Sequence, residues 1–345
     1  MTAIALPSAA RGAEEFAQNE RLAHLRTLAP SVVDHPSGYV ALSAGNEFFA
    51  PDRAQGFIAY REQGRHFVLF GGVHAPPACR ERVLDGFLDF ARSRRRRVIA
   101  VQIRENQLPL FRSRGFVVNA LGASFAVTLR GYTLAGTKKM KLRNKIKRAR
   151  GAGLVVREVG RELPRTASTF ARLREISAEW LAAKGKKELE FMIGEIGERQ
   201  DLERRIFVVS NAADELQAFI SYVPVWGGRP GVLHDLTRKT PDAGVGALEL
   251  CNAFALERFV AEGVPYLHFG FTPFIVDEQP PATASRLLHW LVLQLRRHGQ
   301  VIYPSDSQAS YKLKWGPDII EQEYVAARPL SWRAVIDLLM LTRAV

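Results

Sequence analysis

Asp235 and Arg238 stand three residues apart in the run His234-Asp235-Leu236-Thr237-Arg238, at the end of a β-rich segment, and Glu249 follows on a helical one. A carboxylate suits an ammonium group, and a guanidinium suits a phosphate or another carboxylate. The same two residues also fit a local surface ion pair, which is common and contributes little. A second candidate is Tyr311-Lys312-Leu313-Lys314-Trp315-Gly316-Pro317, where alternation of basic and apolar residues reads as a strand with one basic face. Such a face suits phosphate or a stacked base, or blocks edge-to-edge aggregation. The third is a run of cations: Lys138, Lys139, Lys141, Arg143, Lys145, Lys147, Arg148 and Arg150 fill eight of thirteen positions with no acidic residue among them. That exceeds what solubility needs and points to phosphate-backbone contact without base reading. The fourth is Gly270-Phe271-Thr272-Pro273, a tight turn after a strand, of the kind that lines sites.

Several chemistries find no support. The chain has no Gly-x-x-x-x-Gly-Lys-Ser/Thr loop, no His-Glu-x-x-His and no Gly-x-Ser-x-Gly. The eight histidines are scattered, so no metal is expected, and His74, His234 and His289 read as structural. Cys79 and Cys251 are the only cysteines, too far apart in sequence for a zinc knuckle or a disulfide framework. Met1 to Ala13 lacks the order of a signal peptide, and no run approaches the roughly twenty apolar residues of a membrane helix. A cytoplasmic location, with peripheral contact to the inner face of the membrane, is the expectation.

Elements that would position these residues are legible from periodicity. Tyr39–Leu42, Gly56–Tyr60 and Phe67–Phe70 read as strands, Val83–Arg94 as an amphipathic helix, and Val98–Gln102 and Phe125–Leu129 as further strands. After the basic helix the order recurs. A strand at Leu154–Glu158 and a helix at Thr166–Lys184 are followed by strands at Ile206–Val209, Ala218–Tyr222 and Val232–Leu236. A helix at Ala247–Glu262 and a strand at Tyr266–Phe269 complete the block. Two blocks of antiparallel strands, helix and strand imply a duplicated α+β architecture. The expected organisation is a leader with a short helix over 1–35, one domain over 36–150 ending in the basic helix, a second over 151–330, and an amphipathic helix over 331–345. That last helix gathers Trp332, Val335, Ile336, Leu338 and Leu339, a face that suits packing against the second domain or resting on a bilayer.

Lys and Arg outnumber Asp and Glu by 48 to 35, a formal charge of +13 that favours polyanionic partners. The charge is also what a non-catalytic RNA-binding protein would carry. An acyl-CoA-dependent enzyme is the other alternative, although no pyrophosphate loop is evident at a helix N-terminus.

In order along the chain, Gly56–Tyr60, Arg114-Gly115-Phe116, Ala120-Leu121-Gly122, Gly131 with Lys138 to Arg143, Ile176-Ser177 with Trp180-Leu181, and Glu190-Phe191 with Gly194 form one series of landmarks. Asp235–Arg238 with Pro241-Asp242-Ala243 and Glu249, then His268–Pro273, then Tyr311–Lys314, complete it. From about Phe48 to Pro329 this series resembles the C-terminal catalytic domain of lysylphosphatidylglycerol synthases, the multiple peptide resistance factors. The resemblance implies a tandem GNAT-like fold of two similar domains, as in the FemXAB peptidyl transferases. It implies aminoacyl-tRNA as donor, and no cofactor. The acceptor it implies is a phosphatidylglycerol-like lipid, or a soluble hydroxyl or amine such as the hydroxylamine used by the seryl transferase of valanimycin biosynthesis. At Gly71-Gly72-Val73-His74 the chain departs from the Gly-Asp-Pro-like turn of lipid-modifying members. Carried over, Asp235 and Glu249 orient the amino acid's ammonium, and Arg238 and Lys312 meet the adenosine phosphate or the oxyanion. Glu190, Gly270, Thr272, Tyr311 and Lys314 line the substrate. Lys138, Lys139, Lys141, Arg143, Lys145, Lys147 and Arg148 meet the tRNA or an anionic surface. On this reading Ala at Asp235 or Arg238 abolishes transfer and leaves the fold intact.

Overall fold

The computed structural model describes residues 8–43, 45–51, 55–184, 194–277, 284–298 and 305–341. Among the described residues, eleven strands form one sheet. In chain order they are β1 (Glu47–Phe49), β2 (Phe57–Gln63), β3 (His66–His74), β4 (Arg97–Arg104), β5 (Val117–Thr128), β6 (Val155–Glu158), β7 (Arg205–Ser210), β8 (Leu216–Val225), β9 (Gly231–Lys239), β10 (Tyr266–Pro273) and β11 (Ile319–Arg328). Their spatial order is β1-β2-β3-β4-β11-β5-β10-β9-β8-β7-β6. The last strand therefore crosses back into the first half, where it pairs with β4 and β5, and β5 in turn pairs with β10. The two halves are stitched through the middle of a single sheet.

The helices are α1 (Ser8–Val32), α2 (Gly38–Ala41), α3 (Arg80–Ser93), α4 (Leu108–Arg112), α5 (Met140–Gly151), α6 (Ala167–Lys184), α7 (Ala247–Ala261), α8 (Arg286–His298), α9 (Ser305–Leu313) and α10 (Trp332–Leu341). Strand alternation sorts them between the two faces. Phe57, Ala59, Val68 and Phe70 pack with α1, α2 and α10, whereas Ile58, Tyr60, Phe67 and Leu69 pack with α3 and α4. On β8, Phe219 meets α6 and Val223 meets the α1–α2 cluster, so these helices share a face. Ala218, Ile220 and Tyr222 look the other way, toward α5, α7 and α9. No described helix is long and apolar enough to cross a membrane.

Three elements differ from the sequence reading. Tyr39–Leu42 is not a strand: Gly38–Ala41 is a buried helical turn closed by Ala41 N–H to Ser37 O at 3.0 Å. A short apolar run buried on all sides has the same pattern in either state. Tyr311–Lys314 is likewise the end of helix α9 and the turn beyond it. Its buried positions Ala309, Lys312 and Trp315 recur every three residues, and Gly316 at φ +69 closes the turn. The first helix is also long, reaching from Ser8 to Val32.

Candidate functional site

The candidate residues gather where two parallel strands part. β9 and β10 pair from Gly231↔Tyr266 to Leu233↔His268 and no further. Beyond that point β9 continues beside β8, and β10 beside β5. Each strand carries an irregularity at the parting. In β10 it lies between His268 and Gly270, where Gly270 takes φ +69, a conformation that favours glycine. In β9 one extra residue sets Asp235 and Leu236 together opposite Ser221, because Ile220 pairs with Thr237 and Tyr222 with His234. The bulge thus sends His234 toward Tyr222, Phe269 and Tyr311, while Leu236 packs under α6.

Lys312 comes from α9 into the parting. Its buried Nζ donates to Gly270 O at 2.8 Å and Phe271 O at 2.9 Å, and lies 5.7 Å from the Phe125 ring centre. Two carbonyl dipoles and a ring face keep a buried ammonium tolerable. Burial pulls its pKa down to about 7, against an opposing pull from Glu323. Glu323, on β11, is buried too and pushed up to about 8, chiefly by desolvation. Ser124 Oγ donates to one of its oxygens; the other, Oε2, has no hydrogen-bond partner and lies 3.8 Å from His35 Nε2. Burial also holds His234 at about 3 and His268 at about 4, so both rings are neutral at physiological pH, consistent with structural roles. Thr272 Oγ1 is buried without a partner.

Asp235 is not free. The buried Arg204 guanidinium donates to its carboxylate and also to Asp201 at 3.3 Å, and Asp201 accepts from Tyr39 O–H at 2.6 Å. Burial pushes the Asp235 carboxyl up while Arg204 opposes the shift. The chain passes directly over this pair at Gly194, where a Cβ would fall 1.7 Å from Asp235 Oδ1. Arg238 is clamped under α6, with Nε on Ser177 Oγ at 3.1 Å and the guanidinium 4.2 Å from the Trp180 ring centre.

Glu249 stands apart from Asp235, in the first turn of α7. Its Oε1 accepts from Lys314 Nζ at 3.0 Å and Lys145 Nζ at 3.2 Å. Burial raises its pKa, but the two lysines more than offset this and leave it below the ordinary carboxylate range. Tyr311 belongs to the same group, its ring against Trp315 and His234. The proposed ammonium-binding pair is thus divided between two sides of the sheet, each acid with its own cations. Glu190 lies outside the described residues.

The cationic run is a 3-10 turn, Thr137–Lys139, leading into α5, which buries Leu142, Ile146 and Ala149. Some of its cations serve the fold. Arg143 donates to Leu134 O and Gly136 O, Lys139 lies over Tyr132 and donates to Thr133 O, and Lys145 holds Glu249. Lys138, Lys141, Lys147 and Arg148 are exposed. Glu323, Ser124, His35, Arg204 and Ser221 were not anticipated from sequence. An acidic residue inside a β-patterned run, as at Glu321 and Glu323, was the one available signal.

The family model described as phosphatidylglycerol lysyltransferase, C-terminal, matches residues 25–327. A phosphatidylglycerol lysyltransferase of Staphylococcus epidermidis is 22% identical over 330 residues, covering 92% of this chain and 38% of the relative. The lysylphosphatidylglycerol biosynthesis bifunctional protein LysX of Mycolicibacterium vanbaalenii is 28% identical over 213 residues, 60% of this chain and 19% of that protein. The chain thus spans well under half the length of these relatives. Among solved structures, the C-terminal domain of a lysylphosphatidylglycerol synthetase from Agrobacterium fabrum superposes with TM-score 0.77 at 20% identity, covering 95% of this chain and 99% of that one. L-PGS from Bacillus licheniformis gives 0.76 at 20%, covering 94% and 96%. FemX gives 0.54 at 8%, covering 93% and 98%. At these identities the structural likeness concerns the fold alone.

Proposed function

The chain belongs to the family of phosphatidylglycerol lysyltransferase C-terminal domains, and from that premise we propose that it transfers an aminoacyl group from aminoacyl-tRNA to a hydroxyl or amine acceptor. The observation that carries the reading onto this chain's own residues is Lys312, an amine fixed by two main-chain carbonyls where β9 and β10 part. An aminoacyl ester is already activated. The acceptor's oxygen or nitrogen bonds to the carbonyl carbon, the bond to the ribose oxygen breaks, and the proton lost by the acceptor ends on that ribose oxygen. Catalysis then reduces to positioning and to stabilising the oxyanion, and a Lys312 ammonium supplies the charge for the second task. The reading asks for no metal and no covalent cofactor. The exposed cations Lys138, Lys141, Lys147 and Arg148 suit the phosphates of the tRNA end.

An acyl-CoA donor is disfavoured by sequence: it needs a Gln/Arg-x-x-Gly-x-Gly/Ala loop at a helix N-terminus, and ahead of Gly244 and Gly246 at the start of α7 the place of the Gln or Arg is taken by Pro241. A phosphatidylglycerol-like lipid is the acceptor that family membership favours, and a soluble acceptor is the other branch. The test is transfer of radiolabelled amino acids from charged total tRNA, followed into chloroform-soluble lipid and into water-soluble products. Label in lipid selects the first branch, and RNase-sensitive label in a soluble product selects the second. Transfer from acetyl-CoA with none from charged tRNA would overturn the reading.

A further inference from the structure

Helix α10 lies against β2 and β3 of the first half. It buries Ala334, Asp337 and Leu341, and Asp337 anchors it by accepting from His66 Nδ1 at 2.7 Å and from Arg65 N–H at 3.2 Å. The opposite edge of the helix carries Trp332, Ile336 and Met340, which are 59%, 52% and 52% exposed. Spacing of four residues turns each by about 40° from the last, so the three form a single ridge about 12 Å long. Apolar side chains of this size are not left in water on a helix edge for the sake of the fold, since their burial would stabilise it.

The ridge has a cationic border. Arg333 is the next exposed position around the helix. Arg65, whose main chain touches Asp337, is joined through its carbonyl to Arg97 N–H at 2.9 Å. All three of these arginines are exposed, and the nearby carboxylates are committed: Glu62 pairs with Arg96, and Asp337 lies on the buried face of α10. A Trp-containing apolar ridge bordered by arginines, lying along the axis of a surface helix, has the chemistry of an element that rests in the headgroup layer of an anionic bilayer. A second copy of this chain would have to bring three more arginines against these three, so charge selects the bilayer.

We propose that α10, with Arg333, Arg65 and Arg97 beside its apolar ridge, is the surface by which this protein docks on an anionic membrane. The inference rests on the aminoacyl-transfer reading for its purpose, bringing a lipid acceptor to the parting of β9 and β10, and is measured without any donor. The experiment is flotation of the full chain with vesicles of phosphatidylglycerol and phosphatidylcholine, or of phosphatidylcholine alone. It compares wild type with the triple variant Trp332→Ala/Ile336→Ala/Met340→Ala and with Arg65→Ala/Arg97→Ala/Arg333→Ala. Circular dichroism of each variant guards against unfolding. Wild type should float with the anionic vesicles and not with the neutral ones, and each variant should bind at least about tenfold more weakly. Binding by both folded variants equal to wild type overturns the proposal. So does a wild type that fails to float, or a concentration-dependent dimer abolished by the apolar triple variant, which would assign the ridge to a second copy. A protein that binds vesicles yet transfers no amino acid leaves the docking surface standing and overturns the transfer reading alone.

Discussion

Replacing Lys312 by Met removes a charge while keeping most of the side chain's volume. If the ammonium faces the oxyanion, its loss should cost kcat the amount typical of one preorganised donor, about 10² to 10³, with little change in KM for charged tRNA. Its displaced pKa gives the variant a second signature. The ordinary value of 10.5 falls to about 7 in the folded protein. Between those values the unfolded chain binds more protons than the folded one, so this residue makes the protein more stable as pH rises from about 7 to about 10.5. At 1.36 kcal/mol per pH unit, the whole window corresponds to about 5 kcal/mol. Wild-type transfer should decline as pH rises through about 7, as the ammonium is lost. Urea unfolding at stepped pH should show wild type gaining on Lys312→Met across the alkaline window. Single-turnover transfer within fivefold of wild type at pH 6.5, together with parallel stability curves above pH 7, would refute both the role and the electrostatics.

Other perturbations follow from the same geometry. Glu323 is displaced upward from 4.5 to about 8, so the folded state holds its proton longer and this residue's contribution to stability is lost as pH rises from about 4.5 to about 8. Glu323→Gln should flatten that decline, and an unchanged acid-side slope in chemical denaturation would contradict the burial argument. Asp235→Ala should destabilise the protein by about 1–3 kcal/mol, because it leaves the buried Arg204 with Asp201 as its one carboxylate partner. A melting temperature equal to wild type would show that the pair is not needed. Replacing Lys138, Lys141, Lys147 and Arg148 together by Ala should lower the slope of log K for tRNA against log salt by up to about 0.9 per lost contact, measured by filter binding. An unchanged slope would remove α5 from the RNA interface.

Much of the strand content was legible because both halves carry short apolar and aromatic runs bounded by turn residues, as in Ala218–Tyr222, which is buried on both faces of the sheet between β7 and β9. The central strand β11 was not read. It carries Glu321, Gln322 and Glu323 through its middle, and a hydrophobic pattern does not anticipate a carboxyl buried in a sheet. The consequence reaches the site, since β11 brings Glu323 beside Ser124 across a sequence separation of 199 residues. Asp235, Arg238, Gly270 and Lys312 were found from residue type and order, and three of them do stand at the parting of β9 and β10 or its bulge, with Arg238 just beyond under α6. Their partners were not legible. Arg204 reaches Asp235, and Lys145 reaches Glu249, only through tertiary packing. A charge pattern along a helix also does not say which lysines are spent inside the molecule: Arg143 looked like a phosphate contact and instead ties down the Leu134–Gly136 turn.

The central claim is tested most directly by one comparison: transfer of labelled amino acid from charged tRNA by wild type and by Lys312→Met, with a membrane-lipid extract and a soluble cell extract each offered as acceptor. The account predicts RNase-sensitive transfer by wild type into one of the two fractions and a loss of at least about a hundredfold in the variant. Equal transfer by both proteins, or labelling from acetyl-CoA and none from charged tRNA, would contradict it.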